Sequence, residues 1–149
     1  MANSIQYAKI ASVPSVKVKT NELAGRVRVG SAEYEASAEQ STITMFVIPN
    51  GARLLSGAVS HDALATSTTL SVGYAAHTKA DGTTQALDVD EYKAAATSAA
   101  AISSVALDTM ALGKNSVTDA NEDGVPVTVT LAGANGTGTI QLQMFYVID

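Results

Sequence analysis

Apolar and polar positions alternate with a period of two along much of this chain, the mark of strands with one buried face. Gly25-Arg26-Val27-Arg28-Val29-Gly30 alternates cleanly and predicts a strand with Val27 and Val29 inward and the arginines outward. Ser31–Gln40 is polar, with Glu33, Glu35 and Glu39, and fits a loop or an exposed strand. Thr42–Ile48 is rich in β-branched residues, so propensity and pattern agree on a strand. Pro49-Asn50-Gly51 ends it, because Pro lacks a ladder donor and Asn-Gly suits a turn. Ala52–Ser60 resumes with Leu54, Leu55, Ala58 and Val59. Thr68–Tyr74 sets Leu70, Val72 and Tyr74 on one side and small polar residues on the other. Val125–Leu131 and Thr139–Ile148 alternate in the same way, and the second predicts the longest strand. The glycine-rich segment Ala132–Gly138 between them reads as a hairpin turn.

Two segments depart from this period. Asp88 and Glu91 have capping-box spacing, and Tyr92–Ala101 is rich in Ala, the strongest helix former. Together they predict one short helix lying along a sheet edge as a connection, with a further strand over Ile102–Leu107. Met1–Leu23 has too few large apolar residues for a core of its own, and Pro14 disfavours a central strand. The chain therefore divides into an extended N-terminal arm, residues 1–24, and one all-β domain, residues 25–149. Seven or eight strands with Gly, Asn and Pro turns mean a sandwich or a barrel.

Charge sharpens the division. The 149 residues carry nine Lys and Arg against fourteen Asp and Glu, net −5. Residues 1–28 hold Lys9, Lys17, Lys19, Arg26 and Arg28 against Glu22 alone, while the remainder holds four basic residues against thirteen acidic ones. A basic arm thus precedes an acidic body, and that body would repel a phosphate backbone. No nucleic-acid partner is expected. No stretch approaches the roughly 20 apolar residues that span a bilayer, and the start lacks the apolar region of a signal peptide, so no membrane partner is expected either.

The residues offer little chemistry. Cysteine is absent, which excludes disulfides and thiolate metal sites. His61-Asp62 and His77 could supply metal ligands, but a zinc site needs three or four with firm support. Asp119–Gly124 lacks the alternating ligands and terminal glutamate of a calcium loop and reads as an acidic turn. No Gly-x-Ser-x-Gly elbow is present, and Gly133–Gly138 has no following lysine for a phosphate loop. No catalytic residue, metal site or cofactor is expected, and the chain reads as a structural protein rather than an enzyme.

Three patches resemble a known family: Pro49-Asn50-Gly51-Ala52-Arg53-Leu54-Leu55, Ala65–Tyr74 with Ser-Thr-Thr-Leu-Ser-Val-Gly, and Ala134–Leu142 with Gly-Thr-Gly-Thr-Ile. The family is the head decoration, or cement, proteins of tailed bacteriophages. The resemblance spans roughly residues 26–148 and is strong only in these patches. It implies a single β-sandwich of jelly-roll type on the outer surface of an icosahedral capsid. It also implies a homo-oligomer, often a trimer, whose partner is the major capsid protein. One departure is Tyr74, which stands after Ser-Val-Gly where relatives often carry Asp, so a rim contact made by that Asp does not carry over. The expected mechanism lays the arm across neighbouring capsid subunits. Lys9, Lys17, Lys19, Arg26 and Arg28 would meet acidic patches, and Val16 and Val18 would seat in shallow grooves. Two alternatives stand beside this: a phage tail, baseplate or head-fibre component that binds protein or glycan, which clustered exposed tyrosines would favour, and a small metal-dependent binding module or enzyme built on converging His61 and His77.

Overall fold

The computed structural model of the chain describes residues 26–97, 101–105 and 117–148, and every regular element among them is a strand. In chain order these are β1 (Val27–Glu39), β2 (Thr42–Ile48), β3 (Arg53–His61), β4 (Thr69–Tyr74), β5 (His77–Thr78), β6 (Thr84–Gln85), β7 (Asp88–Thr97), β8 (Ala101–Val105), β9 (Val125–Ala132) and β10 (Gly136–Val147). Sheet A has the order β1-β10-β3-β8 and sheet B the order β2-β9-β4-β7, while β5 and β6 form a small third sheet. All neighbours are antiparallel.

β10 shows why the chain folds this way. Ile140, Leu142 and Met144 alternate with Gln141, Gln143 and Phe145, and the first three are fully buried. On β3, Val59 stands opposite Leu142, and both are fully buried. From sheet B come Ile43 and Ile48 of β2, Leu70 and Val72 of β4, and Val127, Val129 and Leu131 of β9. These join the sheet A residues in one buried cluster. Burying each such side chain stabilises the fold by about 1.5–3 kcal/mol, so this cluster dominates the energetics.

The expected single sandwich of jelly-roll type with one short helix is corrected in its helix and in its sheet count. The strands fall into three separate antiparallel sheets, none closed into a barrel, and no helix occurs among the described residues. The segment predicted as helical is β7, which pairs with β4 from Thr97 opposite Thr69 to Asp88 opposite Tyr74. Two causes override its helix propensity. Tyr92 is an anchor only 5% exposed, and the edge of β4 supplies ladder partners; propensity is a weak prior against tertiary contacts of this kind. The register shifts twice along the pair, around Val72. There Gly73 lets the β7 backbone come close, since a Cβ at Gly73 would run into the carbonyl oxygen of Asp88. Asp88 caps no helix; its Oδ1 accepts from the backbone N–H of Asp90 at 3.2 Å.

Two further expectations change. Ser31–Glu39 belongs to β1, which at 13 residues exceeds the 12 of β10. The inward assignment of Val27 and Val29 is reversed: they are 56% and 53% exposed. Gly30 lies beside the Phe46 ring, and a Cβ there would sit 2.7 Å from it, so Gly30 takes the inner face and both valines take the outer.

This parity is testable. Leu142→Ala will lower stability by about 2–5 kcal/mol, whereas the adjacent Gln143→Ala will stay within about 0.5 kcal/mol of the parent in urea denaturation. Gly73→Ala will destabilise by about 1–3 kcal/mol, because β7 must shift to admit one methyl group.

Candidate functional site

The outer face of sheet A divides into two zones along its strands. At one end Val29 stands opposite Phe145, and Phe145 opposite Ser56. Here the β3 register slips by one residue, so Leu55 falls between the partners of Phe145 and Tyr146. Val27, Val29, Leu55 and Phe145 are all exposed, and they make an apolar zone on adjacent strands. Lone exposed apolar residues are ordinary, but neighbours of this kind mark contact surfaces. Arg26 and Arg28 are exposed at the same end. Arg53, paired with Val147 in the same row as Val27, has its Nε buried with no hydrogen-bond partner among the described residues.

Toward the other end the same face turns acidic. Glu33 Oε2 accepts from the Gln141 amide at 2.6 Å, and Glu35 Oε2 accepts from the Thr139 hydroxyl at 2.7 Å. Asp62 Oδ2 accepts from the backbone N–H of Thr139 at 3.0 Å. These donors are all neutral, so they orient the carboxylates without cancelling their charge. Sheet A is thus apolar and basic where β1 begins and acidic where it ends.

The residues predicted to touch a partner fall in two groups. Arg26 and Arg28 are exposed at the start of β1, where Arg28, opposite Tyr146, has the parity of Gly30 and not that of the outward valines, whereas Lys9, Val16, Lys17, Val18 and Lys19 lie outside the described residues. His61 and His77 are not brought into one site. His61 ends β3, with Nδ1 2.8 Å from the Asp62 carbonyl oxygen. His77 begins β5, with its ring nitrogens 3.0 and 3.2 Å from the carbonyl oxygens of Ala75 and Asp119. No group of three or more possible metal ligands occurs among the described residues. The acidic turn closes on itself: Asn121 Oδ1 accepts from the Asp123 N–H, and the Gly124 N–H reaches the Asn121 carbonyl oxygen. The apolar zone went unseen in the sequence. The one available signal was Phe145 at an outward position of a clearly alternating strand.

No family model matches this chain, and no curated protein sequence matches it. Its fold is shared with solved structures. A chain in the capsid of Ralstonia phage GP4 has a TM-score of 0.61 at 23% identity, covering 97% of both chains. One in the cyanophage Pam1 capsid asymmetric unit has a TM-score of 0.56 at 17% identity, covering 90% of this chain and 93% of that one. One in the acid-stable capsid of Helicobacter pylori bacteriophage KHP30 has a TM-score of 0.51 at 14% identity, covering 82% and 87%. At these identities the likeness establishes the fold: this arrangement of antiparallel sheets, over nearly the whole chain, is also found in chains of phage capsid structures.

Proposed function

We infer that the protein is a structural component of a phage virion that decorates the outer surface of an icosahedral capsid and stabilises it by bridging neighbouring subunits. The observation that carries this reading is the end-to-end likeness to a chain of a phage capsid, 97% of each length. The surface chemistry agrees. A shell protein needs no converging catalytic groups; it needs a rigid body and a face that excludes water against a neighbour.

The apolar end of sheet A is the contact face in this reading. Val27, Val29, Leu55 and Phe145 bury against the major capsid protein. The basic residues of the arm, Lys9, Lys17 and Lys19, continue this contact across the next subunit, with Val16 and Val18 seated in grooves. The acidic row of Glu33, Glu35 and Asp62 faces the basic start of a neighbouring copy, which favours a homo-oligomer, with a trimer as the expected form. Contacts that are individually modest become tight when repeated over a lattice.

Two outcomes follow. In co-sedimentation with shells of the parent phage lacking this protein, the full chain binds saturably at a fixed ratio to the major capsid protein. A chain without residues 1–23 stays folded and remains in the supernatant; undiminished pelleting of that chain would remove the arm from the mechanism. The double variant Val29→Asp with Phe145→Asp places two charges in the apolar zone and weakens shell binding at least about tenfold, with its circular dichroism spectrum unchanged.

A further inference from the structure

A second feature lies apart from sheet A. Between β4, the β5–β6 hairpin, the start of β7 and residues 117–119 there is a cleft of about 180 Å³. This is below the roughly 300–1,000 Å³ of sites for drug-sized ligands, so it has room for a single ring. Its walls are firmly held. The Thr118 hydroxyl donates to the Pro49 carbonyl oxygen at 2.6 Å and accepts from the Ala52 N–H at 2.9 Å, and Asp119 Oδ1 accepts from the Ala80 N–H at 3.1 Å. The Gln85 amide donates to the Tyr74 hydroxyl at 3.0 Å. Around Tyr74 stand His77, edge-on with centroids 5.3 Å apart, and Tyr92, at 6.0 Å and 64°. Preorganised walls of this kind reduce the ordering cost of binding.

We propose that this cleft binds one neutral pyranose unit of a glycan. A pyranose presents C–H groups from its ring face and hydroxyls around its rim. The cleft answers both, with the partly exposed Tyr74 ring for the face and the carboxylates of Glu91 and Asp119, the Gln85 amide and the Lys79 ammonium for the rim. Tyr92 is more than nine-tenths buried, yet it lines the cleft, and no hydrogen bond among the described residues engages its hydroxyl. That hydroxyl is not among the buried atoms left without a partner, so it is reachable from the cleft and a sugar hydroxyl can take the place of water on it. Burial holds the Tyr92 phenol well above its ordinary range, so it remains protonated and able to donate. Charge argues against anions: two carboxylates outnumber the one ammonium of the wall, and Asp88 and Asp90 also act on Glu91. This inference concerns the free protein and does not rest on the capsid reading.

The test is an NMR titration of the ¹⁵N-labelled full chain with D-glucose, D-galactose and N-acetyl-D-glucosamine, with glucose 6-phosphate as the anionic comparator. At least one neutral sugar will give saturable shifts confined to residues 74–92 and 117–125, with a millimolar dissociation constant. Glucose 6-phosphate will bind more weakly than that sugar. Glu91→Gln and Gln85→Ala will each weaken binding about five- to tenfold. Glu91→Gln will fold, because it removes a charge that burial and the neighbouring Asp88 and Asp90 already disfavour. The absence of a saturable shift from all three sugars would overturn the proposal. So would shifts scattered over the surface, tighter binding of the phosphate ester, or unchanged affinity in both variants.

Discussion

β10 lies between β1 and β3 in sheet A, with Ile140, Leu142 and Met144 turned into the core. Each neighbour must follow its parity, because slipping a strand by one residue would carry its whole apolar set into water. That constraint decides more than stability. It sends Gln141, Gln143 and Phe145 outward, and with them Glu33 and Val29 of β1 and Ser56 of β3. The outer face of sheet A, with its apolar end and its acidic end, is therefore a by-product of how the core is packed. One-residue irregularities refine it. The slip opposite Phe145 turns Leu55 to the surface, and Gly30 makes room for the Phe46 ring beneath.

Strands with a strict two-residue period were legible in the sequence. β2, β4, β9 and β10 combine alternation with β-branched residues, and β2 and β9 stop at Pro49 and Gly133. β7 was not legible, because local and tertiary signals conflict there. Its alanines favour a helix, and Asp88 and Glu91 have the spacing of a cap, yet one edge of β4 and the burial of Tyr92 decide the outcome. Val27 and Val29 failed for a different reason. Alternation reveals that two faces exist but not which one is inner, and beside charged residues the apolar set was the natural choice. Only the register with β10 settles it.

The sites follow the same division. The basic residues up to Arg28 were visible as composition, whereas the apolar zone joins residues 27, 29, 55 and 145, which no local motif connects. The cleft is more dispersed still, since Tyr74, Gln85, Glu91 and Asp119 converge only because β7 folds back along β4 and residues 117–120 are tied to the turn after β2. Chemistry built from separated strands leaves little trace in a linear pattern. The two sites also differ in kind. One is an open sheet face with an apolar end, and the other is a small recess with oriented polar groups.

The proposed role requires that sheet A meet a capsid. A cryo-EM reconstruction of parent-phage shells incubated with the purified protein tests this most directly. The expected result is density for this fold on the outer surface, bridging adjacent capsid subunits, with Val27, Val29, Leu55 and Phe145 at the contact. Shells without such density, or with the chain attached while that face stands open to solvent, would contradict it.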